Sequence, residues 1–124
     1  MLDTYQQTLL DGWEDVFKKG QLTLWILLAL KAGPKHMAEI KTFISEATNN
    51  LLEADDKSMY RALRRFTDVE MLDYTIEPND KGPDRKMYSL TTIGASVLDA
   101  FVQRNLLDTF FKPSVRRLLE PTAR

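Results

Sequence analysis

Lys57-Ser58-Met59-Tyr60-Arg61-Ala62-Leu63-Arg64-Arg65-Phe66-Thr67-Asp68-Val69-Glu70 is the stretch whose spacing decides how this chain folds. At about 100° per residue, Lys57, Arg61, Arg64, Arg65 and Asp68 share one side of a helix. Met59, Ala62, Leu63, Phe66 and Val69 fall on the other. One face is a core stripe; the other offers four cations and one carboxylate. Asp55 and Asp56 precede the stretch, and their carboxylates are suited to the unpaired N–H groups of a first helical turn. Two alternating segments follow. Leu72, Tyr74 and Ile76 alternate with Asp73, Thr75 and Glu77, which predicts a half-buried strand. Lys86, Tyr88 and Leu90 alternate with Arg85, Met87 and Ser89, the return strand over 85–90. Pro78 to Asp84 is loop chemistry, and the turn Lys81-Gly82-Pro83-Asp84-Arg85-Lys86 is basic.

Working outward, residues 35–47 place Met37, Ile40 and Ile44 on one helical face with Phe43 beside them. Thr48-Asn49-Asn50 reads as the exit, and Leu51-Leu52 as an inward-packing pair or very short strand. Leu22 to Leu30 is apolar on nearly every side, the pattern of a central helix, stopped by Gly33-Pro34. Leu2, Tyr5, Leu9, Trp13, Val16 and Phe17 recur at helical spacing, which predicts a helix over 3–19 with Gly20 as its C-terminal cap. After the hairpin, Thr91 or Thr92 caps a long helix reaching Phe111. Pro113 breaks it, and Ser114 caps a last turn through Leu118 and Leu119. The predicted fold is mostly α with a small β-hairpin wing: a winged helix-turn-helix over 20–91, an N-terminal helix over 1–19, and a C-terminal dimerisation helix and tail over 92–124.

A helix that buries one face and presents arginines on the other, followed by a hairpin with a basic tip, suits double-stranded DNA. In that architecture the helix lies in the major groove. The formal net charge of -1 opposes a non-specific nucleic-acid coat. A local basic patch on a neutral body remains compatible with binding that rests on few phosphate contacts. The chain has no cysteine and a single histidine, His36. Neither a disulfide framework nor a metal set of Cys and His is therefore expected. His36 reads as a structural residue at a helix start. No nucleophile with a paired base and no glycine-rich phosphate loop is visible, so no catalytic activity and no cofactor is expected. The longest apolar run is too short to span a bilayer, and a cytoplasmic location without a membrane partner is the expectation.

Three motifs carry a resemblance. They are Gly33-Pro34-Lys35-His36-Met37-Ala38-Glu39-Ile40, Met59-Tyr60-Arg61-Ala62-Leu63-Arg64-Arg65-Phe66, and Gly82-Pro83-Asp84-Arg85-Lys86-Met87-Tyr88-Ser89-Leu90-Thr91 with Gly94. In this order and spacing the chain resembles the PadR family of bacterial winged-helix transcriptional regulators over about residues 20–96. The resemblance implies a DNA-binding domain, a homodimer built by the terminal helices, and repression relieved by a signal or small molecule. The chain departs from the family's usual glycine and tyrosine at Met37 and Ala38. Glu70 stands where glycine, suited to a left-handed helix cap, is usual. Asp55 replaces the serine that usually caps the arginine helix.

The candidate DNA-contacting residues are Lys57, Ser58, Tyr60, Arg61, Arg64 and Arg65 on the helix and Lys81, Arg85 and Lys86 on the wing. Arginine can reach guanine O6 and N7 bidentately or clamp phosphate. Lys57 lies in the first turn, where backbone N–H groups favour phosphate. Asp68 on the same face repels phosphate, so contact is expected to fade toward that end. Tyr60 is read as packing at the helix edge. The wing cations are expected to brush the DNA backbone or minor groove. Candidates for the dimer interface are Leu9, Trp13, Phe17, Val97, Leu98, Phe101, Val102, Leu106 and Phe110. Two rival readings stand beside this one: a winged-helix module that binds another protein, and a sensor of a small aromatic effector, for which Trp13 is the candidate ligand residue.

Overall fold

The structure is a computed structural model that describes residues 1–122. Six α-helices and one antiparallel hairpin follow in the order α1 (Thr4–Lys18), α2 (Gln21–Lys31), α3 (Met37–Ala47), α4 (Asp56–Asp68), β1 (Leu72–Glu77), β2 (Arg85–Leu90), α5 (Thr92–Val102) and α6 (Pro113–Arg116). The arginine-bearing stretch is α4. Its start is fixed by Asp55, whose carboxylate accepts from the Ser58 N–H at 2.8 Å and the Ser58 hydroxyl at 2.9 Å. These bonds to the ionised form hold the Asp55 carboxyl below the usual carboxylate range. α4 ends where Glu70 takes φ +65 and the Met71 N–H returns to the Phe66 carbonyl at 2.9 Å. Glu70 thus occupies the left-handed position that its place in the sequence indicates. Val69, expected on the core stripe, is instead the C-cap and is exposed, because the chain has already turned away from the helical path.

The core gathers Ile26, Leu27, Ala29 and Leu30 of α2, Ile40 and Ile44 of α3, and Met59, Ala62 and Leu63 of α4. Leu72, Tyr88 and Leu98 complete it. α2 is central, as its all-round apolarity requires. α3 is shorter than its apolar pattern implied and begins at Met37. Lys35 is in extended backbone, exchanging both hydrogen bonds with Tyr88 at 3.0 and 2.9 Å. This bridge takes the place of the short strand expected at Leu51-Leu52. That pair forms no strand, and Leu51 is exposed. The Lys35 ammonium bonds the carbonyls of Ala29 and Gly33 at 2.7 and 3.2 Å, satisfying the end of α2.

β1 and β2 pair from Leu72↔Leu90 to Glu77↔Arg85. The half-buried strand expected at 72–77 holds only at Leu72; Tyr74 and Ile76 are exposed, because a two-stranded ribbon leaves the core as it extends. Thr91 caps α5, accepting from the Gly94 N–H at 3.0 Å. A Cβ on Gly94 would run into the Met71 carbonyl, so glycine permits α5 to seat against the end of α4. The long helix expected to reach Phe111 is α-helical only to Val102 and continues as a wide π turn over Gln103–Leu107. Side chains compete for its carbonyls there: Asn105 Nδ2 donates to Phe101 O at 3.0 Å and Thr109 Oγ1 to Asn105 O at 2.6 Å. Pro113 is the first residue of α6, after Lys112 as N-cap, so Ser114 lies inside the turn rather than capping it.

Candidate nucleic-acid interface

Every arginine that the sequence places on the outer face of α4 is on the surface. Arg61, Arg64 and Arg65 are exposed, as are Lys57 and Tyr60. The apolar residues opposite them, Met59 and Leu63, are fully buried. The helix is therefore rolled into place by its core stripe, and the cationic face follows. Ser58 is less available: its N–H and hydroxyl both serve the Asp55 cap. Tyr60 is 59% exposed rather than packed, and it stands at the edge between helix and wing.

The ion pairs of the protein lie elsewhere. Lys31 meets Asp99 at 2.9 Å and Lys41 meets Asp56 at 2.6 Å. His36 sits at the start of α3 with Nε2 3.1 Å from Glu77 and Nδ1 2.6 Å from Glu39. Glu77 lies opposite Arg85 in the hairpin register but is engaged by His36. Among the described residues, Arg61, Arg64, Arg65, Lys81, Arg85 and Lys86 form no ion pair. A surface that keeps six cations without carboxylate partners is electrostatically an anion receptor.

Helix and wing face each other across a cleft of about 470 Å³, lined by Tyr60, Arg64, Thr67 and Asp68 from α4 and Tyr74, Lys86 and Tyr88 from the hairpin. Tyr74 and Tyr88 pack with ring centroids 5.8 Å apart, and the Lys86 ammonium lies 4.4 Å from the Tyr74 centroid. Burial pushes the Tyr88 phenol above its usual range, and the neighbouring Tyr60 and Tyr74 add to that. Tyr74 is the site residue that sequence reasoning missed. Alternation does put it on the face of Tyr88 and Lys86, but only the docking of the hairpin turns that face toward α4.

Residues 26–100, from within α2 to within α5, match the transcriptional regulator PadR-like family. The chain belongs to this family. As a PadR-like protein it has close counterparts in fold among solved structures. A PadR-like transcription factor from Bacteroides fragilis is 25% identical, covering 86% of this chain and 98% of that one, with a TM-score of 0.66. A PadR family regulator from Eggerthella lenta is 18% identical, covering 97% of this chain and all (100%) of that one, with a TM-score of 0.70. Bacillus subtilis PadR, solved in complex with operator DNA, is 20% identical and covers 83% of this chain and 51% of that one, with a TM-score of 0.61. No curated protein matches.

The residues assigned to a dimer interface divide in this PadR-like chain. Leu9, Trp13, Phe17, Val97, Phe101 and Phe110 are exposed; Val102 and Leu106 are half-buried. Leu98 is 1% exposed within its own chain's core and cannot meet a partner. It lies one helical step from Val97, and α5 turns it inward against α2. No group of three His, Cys, Asp or Glu side chains suited to a metal ion occurs among the described residues. No described helix is long and apolar enough to cross a membrane.

Proposed function

We propose that this PadR-like chain binds double-stranded DNA sequence-specifically as a homodimer and represses transcription by occupying a two-fold operator, by binding rather than catalysis. The observation that carries the reading is the set of unpaired cations on α4 and the wing, beside an apolar face that orients α4 outward. The operator complex of the Bacillus subtilis relative supports it. Arg61, Arg64 and Arg65 are assigned to the groove, Lys57 to phosphate, and Lys81 and Arg85 to the backbone or minor groove beside it. The dimer is assigned to α1 and the outer face of α5. α1 has no buried residue, and Leu9, Trp13, Val97 and Phe101 together expose more large apolar surface than a monomer usually keeps. Trp13, exposed on α1, is the residue at which a flat aromatic effector would act.

The test is a set of single alanine variants at Arg61, Arg64 and Arg65. Each is measured at fixed salt on a duplex selected from genomic fragments and on its scrambled counterpart. Loss of one bidentate base contact costs about 1–3 kcal/mol on the selected site and relaxes preference at one base pair. Circular dichroism should remain unchanged. Equal affinity of all three variants for both duplexes would transfer the reading to a protein-interaction module. Sedimentation at micromolar concentration should give a dimer.

A further inference from the structure

The basic residues of the wing are not equivalent. Lys81 lies in the loop, and Arg85 shares a face with Met87 and Ser89. Lys86 shares the opposite face with Tyr88, and it lines the cleft against α4. The cleft holds three phenol rings beside the side chains of Arg64 and Lys86, with Asp68 also in its wall.

The arrangement is anchored from inside. Tyr88 is buried and its backbone is tied on both polar groups to Lys35. Tyr74 faces Tyr88 directly in the register and packs on its ring at an interplanar angle of 56°. Lys86 is the diagonal neighbour of Tyr74, within reach across an antiparallel pair. Its ammonium is 4.4 Å from the Tyr74 centroid, inside the range of a cation–π contact. A lysine side chain free in solvent has many rotamers to lose when it binds. Here the ring limits them before any ligand arrives.

We propose that Tyr74 is a positioning residue. It holds the Lys86 ammonium at the seam between wing and α4, so that Lys86, Arg64 and the Tyr60 hydroxyl form a seat for one backbone phosphate of duplex DNA. This rests on the DNA-binding reading and deepens it. The seat joins the helix and the wing on one phosphate, which fixes the angle at which the two elements meet the duplex. Such a contact positions the protein and carries no base preference of its own. Asp68 in the same cleft admits one anion and repels a second, which limits the seat to a single phosphate.

The experiment measures the full chain on a selected duplex across a salt series. Lys86→Ala should weaken binding several-fold and flatten the slope of log affinity against log salt by about 0.9, the value for one phosphate contact. Tyr74→Leu should reproduce that loss although it removes no charge. The double variant should be no weaker than either single one, and Tyr74→Phe, which keeps the ring face, should bind as the unaltered chain does. A duplex series with single neutral methylphosphonates should contain one position that weakens the unaltered chain but neither Lys86→Ala nor Tyr74→Leu. Thermal melts identify any variant that fails to fold, and Tyr74→Phe keeps the comparison intact if Tyr74→Leu does. Additive losses in the double variant, or a Tyr74→Phe variant that binds less tightly than the unaltered chain, would overturn the proposal while leaving DNA binding intact. Duplex binding by the unaltered chain without any salt dependence would overturn both.

Discussion

α1 and α4 are both amphipathic, yet the protein treats them in opposite ways. In α4 the apolar stripe is consumed: Met59 and Leu63 are fully buried, and the charged face is left for a ligand. In α1 the polar face is unremarkable and the apolar one is unspent, with Trp13 72% and Phe17 63% exposed. The lesson is that amphipathicity marks a helix as half of an interface without saying which half is already satisfied. In α4 the function is assigned to the polar side; in α1 it is assigned to the apolar side.

The most direct way to break this contrast is to truncate both helices. Leu63→Ala should destabilise the protein by about 2–5 kcal/mol in urea titration, since the side chain is enclosed. Trp13→Ala removes a larger side chain, yet it should change protomer stability by less than about 0.5 kcal/mol. Its effect should instead appear as weaker self-association in sedimentation. A Trp13→Ala protomer that melts early at a dilution where the unaltered chain is monomeric would show that α1 is part of the protomer's own core.

Gly94→Ala sharpens the comparison at the junction of α4 and α5. The added Cβ meets the carbonyl oxygen of Met71, which is backbone and has little room to yield. A cost of about 3 kcal/mol is expected from overpacking, read as a lowered denaturation midpoint. Glu70→Gly should act in the other direction. A side-chain residue in the left-handed region costs about 1–2 kcal/mol, partly offset by the greater freedom of an unfolded glycine. A gain of about 1 kcal/mol is expected, with DNA affinity unchanged. The smallest effect should be the acid response of the α4 cap. Asp55 has a carboxyl pKa lowered on folding, so its contribution is present above the ordinary aspartate range. It is lost as pH falls through the folded value. Asp55→Asn keeps a capping oxygen but cannot titrate. The variant should therefore show a flatter decline in stability below about pH 4.

What was legible in the sequence follows from the range of the forces involved. α4 could be read because its stripe repeats at the helical period, and its capping aspartate lies three residues from the N–H it accepts. The hairpin could be read because strand alternation and turn chemistry are both local. The left-handed Glu70 was legible as a residue standing where glycine is favoured. The misreadings share one cause. Tyr74 and Ile76 alternate like core residues, but the ribbon carries them away from the body. Leu98 and Val97 are equally apolar, and only the seating of α5 on α2 decides that Leu98 is enclosed and Val97 left outside.

The sequence by itself determined the element order, the rotation of α4 and the charge of its outer face, because helical and strand periodicity act over a few residues. It also determined family membership, because the three motifs stand in order at fixed spacing. Tertiary structure alone decided that Lys35 would serve as a strand and a cap rather than a helical residue. It also decided that His36 would draw Glu77 away from Arg85, and that Lys86 would face α4 across a tyrosine. Each of these joins residues far apart in the chain, and no local pattern encodes the docking angle of a hairpin on a helix.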